Sequence, residues 1–161
     1  WVRVVTAWGK LFRREMLETE RCPDVKLHED EALIYKLLYR SRQVAMVDGA
    51  LYLYTANQGG LMANRFTPER MTMLDILDER LAFYRENGET GDLIRFTQNR
   101  QFMFAAEYYL HTADNKPFRR KARKKQWALY WPLMRSSYWL RRKLVYTYAM
   151  LLPGHFKKLY F

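Results

Sequence analysis

Beyond Asp114 the sequence has no acidic residue at all. All 17 Asp and Glu lie at or before that position, while 13 of the 28 Lys and Arg follow it. Residues 1–114 therefore hold 15 cations against 17 acids, a charge of −2, and residues 115–161 carry +13. Such a division points to a polyanionic partner, either an anionic membrane or a nucleic acid, or else to a solvated basic helix face. Cysteine is nearly absent: a lone Cys22 excludes an internal disulfide, fits a reducing compartment and reads as a packing residue rather than a nucleophile. With only His28, His111 and His155 and no second Cys, a structural zinc site is not expected. No run nears the roughly 18 apolar residues of a membrane span. The longest candidate, "LVYTYAMLLP" at 144–153, is short and follows "RRK". No secretory signal is expected, because the opening "WVRVVTAWGKLF" lacks the charged start, apolar run and small-residue site and reads as the interior of a fold. The expectation is a piece of a longer soluble or membrane-surface protein. No internal repeat is present, and the one low-complexity stretch is the basic run "RRKARKK".

What the sequence does contain is bulk for a core. Its 161 residues are 49% hydrophobic and 16% aromatic, enough for one folded domain or a domain with an appendage. "VRVVTAW" has the β-branched density of a strand, and "GKLFRREML" reads as a helix. After a loop at Pro23, a helix from about Glu29 to Arg42 carries Leu33, Ile34, Leu37 and Leu38 at helical spacing. "QVAMV" and "ALYLYT" are predicted strands flanking the turn dipeptide Asp48-Gly49. "TPERMTMLDILDERLAFYREN" then has a complete helix signature. Thr67 stands as N-cap and Pro68 at the first position; Met71, Leu74, Leu77, Leu81 and Tyr84 form the stripe, and Gly88 lies past the end. Further helices are predicted over about Thr90–Thr112, Lys116–Ser136 and Tyr138–Leu152, with breaks near 135–137 and at Pro153-Gly154.

The segment "KLHEDEALIYKLLYRS", residues 26–41, sets three carboxylates in a row before an apolar stripe. At about 100° per residue, Asp30 aligns with Leu33, Ile34 and Leu37, and Glu29 and Glu31 fall to either side. An Asp in that place either supports the helix start, where the dipole favours negative charge, or looks into a cleft. Spacing alone favours the first reading.

The order of motifs adds a second. "TAWGKLFRREML", then "KLHEDEALIYKLLYRSRQVAMVDGALYLYTANQGGLM", resembles the second half of bacterial inverting glycosyltransferases of the large GT-A family called family two. That family shows an "a-W-x-K-L-[FY]" segment, an "hEDe" opening a helix, an "LYxY" strand and a polar loop with glycine. The matching residues here are Trp8, Lys10, Leu11 and Phe12; Glu29 and Asp30; Leu51, Tyr52 and Tyr54; and Gly59. The resemblance covers about residues 5–90. It implies that Asp30 is the catalytic base, taking the acceptor hydroxyl's proton as that oxygen attacks the anomeric carbon. Glu29 would orient the acceptor. Lys10 either approaches the cleft or is a surface charge; Tyr52 and Tyr54 either line an acceptor groove or pack in a core. His28 is expected to be a partly exposed loop histidine.

The chain departs from the family at two points. It contains no Asp-x-Asp, the motif with which the family's N-terminal half holds a divalent Mg or Mn on the nucleotide-sugar diphosphate. A metal is thus expected only in a longer parent, none in this chain, and the chain alone is expected to be inactive. Where relatives often place two arginines after the "LYxY" strand, this sequence has Thr55 and Asn57: either Arg65 or another basic residue substitutes, or donor handling differs, or this member is weak or inactive.

The expected architecture is α+β and mostly helical: the acceptor-side fragment of a GT-A-like α/β domain, followed by a helical C-terminal extension. The divisions fall at residues 1–66, 67–114 and 115–161. The last segment interleaves Arg119, Arg120, Lys121, Arg123, Lys124 and Lys125 with Trp127, Trp131 and Trp139. Interfacial aromatics with headgroup-seeking cations fit a peripheral position on the cytoplasmic face of a membrane. This suits transfer to a glycan or lipid-linked acceptor in cell-surface polysaccharide or glycolipid synthesis. The competing class is a non-catalytic helical module on an anionic membrane or nucleic acid; single-stranded nucleic acid ranks second because no recognition motif accompanies the charge. A third reading lets the aromatics complete a core.

Overall fold

The computed structural model describes residues 5–53, 55 and 66–160. Among these the regular structure is helical, with no strand. The helices are α1 (Arg14–Thr19), α2 (Glu29–Arg40), a 3-10 turn at Pro68–Met71 leading into α3 (Thr72–Glu86), α4 (Asp92–His111), α5 (Lys116–Arg135), α6 (Leu140–Leu151) and α7 (Pro153–Tyr160).

The predicted strands require correction. Val5 is helical, and Thr6 to Trp8 form no strand. Residues 43–47 and 50–53 are coil, with Val44, Met46, Val47, Leu51 and Leu53 exposed. Tyr54 and residues 1–4 lie outside the described residues. β-branched and aromatic density reports a fit to a half-buried pleated surface, and a strand forms only beside another. The described residues supply no partner. The first predicted helix also starts late, at Arg14, because Gly9 turns the chain with φ +69°.

The chain forms two compact units, residues 1–76 and 77–161, with α3 running across the division. In the first, Leu33, Ile34 and Leu37 of α2 are buried, and Phe12, Met16 and Leu38 pack against them. Glu20 at the end of α1 reaches Arg40 at 2.7 Å and Lys36 at 3.9 Å, tying α1 to α2.

In the second unit α4, α5, α6 and α7 enclose one core of Phe102, Ala106, Leu129, Leu133, Tyr146, Ala149, Met150 and Phe156. The basic segment is thus part of this core. The predicted stripe Met71, Leu74, Leu77, Leu81 and Tyr84 is buried throughout. Thr67 makes no side-chain cap, since the 3-10 turn intervenes. At the other end Gly88, at φ +79°, closes α3 with Gly88 N–H donating to Arg85 O and Glu89 N–H to Tyr84 O. That pair of bonds needs a left-handed residue, hence the glycine. Asn115 caps α5 by accepting from the Phe118 N–H at 3.2 Å. The break expected at Pro153-Gly154 is present, since α6 ends at Leu151; Pro153 then opens α7, in keeping with proline's tolerance in a first turn.

Candidate active site

The start of α2 has an unusual backbone. His28, the residue before the first turn, is left-handed at φ 66°, ψ 25°, and offers no side-chain cap. For a non-glycine this costs on the order of 1–2 kcal/mol. It swings Glu29, Asp30 and Glu31 into the first turn as one group. The three separate at once: Glu29 is exposed, Glu31 is buried, and Asp30 is half-buried between them. Asp30 Oδ1 accepts the Glu31 N–H at 2.7 Å, satisfying one of the helix's open donors.

That bond favours the ionised form, but burial outweighs it. Desolvation, with repulsion from Glu29 and Glu31, raises the Asp30 carboxyl above the usual carboxylate range. A raised pKa moves a carboxylate toward the range in which it accepts a proton effectively. Lys10 is close enough to sense it: burial lowers the Lys10 ammonium, and the Asp30 charge opposes that shift. Lys10 is fixed by donating from Nζ to Thr6 O at 2.6 Å and to Thr6 Oγ1 at 3.4 Å. It opens no helix; the left-handed Gly9 places it in the loop before α1.

Tyr52 stacks on Trp8, with ring centroids 4.9 Å apart and planes 16° apart. Both rings keep an open side, at 52% and 38% exposure. Trp8 was missed as a site residue. Its motif was visible, but contact with a ring 44 positions later leaves no trace in local spacing. Tyr54, Asn57 and Arg65 lie outside the described residues, and Thr55 is exposed coil.

Among the described residues no three His, Cys, Asp or Glu side chains are grouped to hold a metal. The residues present do not fit the divalent ion implied by the resemblance, and no step below runs through one. Cys22, expected as a packing residue, is exposed.

The six basic candidates divide. Arg119 lies over the Tyr109 ring at 4.4 Å and donates to its hydroxyl. Arg123 donates to Met150 O at 2.7 Å and lies over Tyr109 and Trp127. Lys125 pairs with Asp78, whose other oxygen accepts from the buried Gln101. These three serve the fold. Arg120, Lys121 and Lys124 point outward and line an open hollow with Lys116 and Pro117. No helix among the described residues is long and apolar enough to cross a membrane.

The chain matches no protein-family model, and neither curated proteins nor solved structures contain a match.

Proposed function

We propose that this chain is the acceptor-side part of an inverting glycosyltransferase with a GT-A fold, and that Asp30 is its general base. The observation that carries the reading is the half-buried Asp30 at the head of α2, raised in pKa by burial and flanking acids. The Glu-Asp motif and its order among Trp8, Lys10 and Tyr52 supply the reaction class.

In the reaction, the acceptor hydroxyl gives its proton to an Asp30 oxygen while the hydroxyl oxygen bonds to the anomeric carbon. The bond from that carbon to the nucleotide diphosphate breaks, inverting the centre. Glu29, exposed beside Asp30, accepts hydrogen bonds from neighbouring acceptor hydroxyls. The open faces of Trp8 and Tyr52 offer the flat apolar surface on which sugar rings stack. The donor, a nucleotide-sugar with any Mg or Mn, is held by a further nucleotide-binding segment. The reading puts the reaction on the cytoplasmic side, with a glycan or lipid-linked acceptor.

Asp30→Asn, in the polypeptide joining this chain to its donor-binding half, tests the assignment. The amide keeps the oxygen that accepts the Glu31 N–H but cannot take up the proton. Transfer should fall by roughly 100-fold or more, the scale of a lost general base. Undiminished turnover would remove Asp30 from the chemistry. The chain alone should bind UDP- or GDP-sugars no tighter than about millimolar, near −4 kcal/mol, by calorimetry. Micromolar binding would reveal a donor site within residues 1–161.

A further inference from the structure

Helix α5 has two opposed stripes. Ala122, Gln126, Leu129 and Leu133 are buried. At 100° per residue, Lys116, Trp127, Arg120, Trp131, Lys124 and Arg135 fall in that angular order within a single arc of roughly 100° on the other side. All six are exposed, with Trp127 at 52% and Trp131 at 57%. The side chains of Lys116, Arg120 and Lys124 make no ion pair or hydrogen bond with a described residue. Along the helix Lys116, Arg120 and Lys124 come first, then the two indoles, with Arg135 at the end.

The indoles are held in place. Tyr130 meets Trp127 and Trp131 edge-on at 6.1 and 5.3 Å, and its hydroxyl is tied to Thr147 at 3.0 Å. Beyond the helix, Trp139 and Leu140 are also exposed, at 87% and 71%. Around Trp139 a second open hollow is lined by Tyr138, Arg141, Arg142, Val145 and Tyr160. Large indoles left in water beside arginine, in a segment with no acid and no nucleic-acid recognition motif, favour a lipid surface. Indoles sit at the level of lipid headgroups, and arginine and lysine meet the phosphates while their stems lie along the apolar layer.

We propose that the outer stripe of α5, with Trp139 and Leu140, docks on an anionic phospholipid surface. Trp127, Trp131 and Trp139 enter the interface, and Lys116, Arg120 and Lys124 contact headgroup phosphates. The surface is built from residues 115–161 and does not include Asp30, and the inference does not depend on any transfer activity.

The intact 161-residue chain is tested by co-sedimentation with phosphatidylcholine vesicles, with or without about 30% phosphatidylglycerol. Binding should require the anionic lipid and weaken as the Debye length shrinks from about 10 Å at 0.1 M salt to about 3 Å at 1 M. Lys116→Gln, Arg120→Gln and Lys124→Gln together should lower affinity on the order of 100-fold, since each cation contributes roughly fivefold. Trp127→Ala with Trp131→Ala should reduce the binding that survives high salt. Brominated lipid should quench the tryptophan emission of the unaltered chain, an arm that needs no variant. Equal binding to neutral and anionic vesicles, no binding to either, or no quenching would overturn the proposal. So would tighter binding to a single-stranded oligonucleotide that displaces the chain from vesicles.

Discussion

Replacing Arg123 by Gln should destabilise the helical unit, whereas replacing Arg120, three positions earlier, should not. Arg123 closes the end of α6 by donating to Met150 O at 2.7 Å, and stacks over Tyr109 at 5.0 Å and Trp127 at 5.7 Å. A charge-assisted hydrogen bond contributes about 1.5–3 kcal/mol. Each ring contact of a partly exposed cation adds about 0.5–1 kcal/mol. Because the site is only partly buried, the lower ends apply, and the loss should be about 2–4 kcal/mol. Arg120 projects from the outer stripe, so its change should stay within about 0.5 kcal/mol. Urea unfolding followed by far-UV circular dichroism measures both, with an unchanged m-value as the sign that only stability moved. Arg123→Lys sharpens the test: it keeps the charge but not the planar fork, and should recover less than half of the loss. Equal midpoints for Arg123→Gln and Arg120→Gln would refute the division of the basic segment into folding and outward-facing cations.

Asp30 has a pH consequence of known sign. Its folded pKa is raised, so the folded state binds its proton more tightly than the unfolded chain does. Its contribution to stability is full below the unfolded value and is lost as pH rises through the folded one. Asp30→Asn should therefore leave the thermal midpoint at neutral pH unchanged or slightly raised, while a clear drop would mean the carboxylate serves the helix start. Gly88→Ala forces a side chain into φ +79° and should cost about 1 kcal/mol or more in urea unfolding, with nothing nearby to clash. Tyr146→Phe removes the hydroxyl donated to Asn99 Oδ1 at 2.7 Å inside the core and should cost about 1–3 kcal/mol. The Tyr146 phenol, raised by burial, should show no alkaline titration by ultraviolet absorbance until the unit unfolds.

Where a helix advertises itself by a stripe and a stop, the sequence is a sound guide. Leu74, Leu77, Leu81 and Tyr84 are buried as their spacing requires, and Gly88 ends α3 by the expected geometry. The strands failed for a different reason. Leu51 and Leu53 carry strand propensity, but pairing depends on chain elsewhere, and here both lie exposed in coil. At the candidate site the alignment of Asp30 with Leu33 and Leu37 was legible from periodicity alone. The Trp8–Tyr52 stack, the left-handed His28 and the Thr6 anchor of Lys10 were not, because each depends on tertiary contact or on a backbone angle unrelated to residue type. In the basic segment, composition gave the charge but could not say which cations the core would use. Arg119, Arg123 and Lys125 are distinguished from Arg120 and Lys124 only by the face on which they fall.

Helix α5 is also wired against its own dipole. Its first turn holds Lys116, Arg119 and Arg120 and no acid, at the end where partial positive charge already accumulates. Along its length Lys116 and Arg120, Arg119 and Arg123, Arg120 and Lys124, and Lys121 and Lys125 stand as like charges one turn apart. Each such pair works against the helix by about 0.2–0.5 kcal/mol at low ionic strength. The core residues Leu129 and Leu133 hold together a segment whose electrostatics favour coming apart. Added electrolyte relaxes that internal tension, so ordinary salt should strengthen this helix while it weakens most surface ion pairs. A helix under such tension is a charged spring, and any surface that neutralises it both gains a ligand and stiffens the fold.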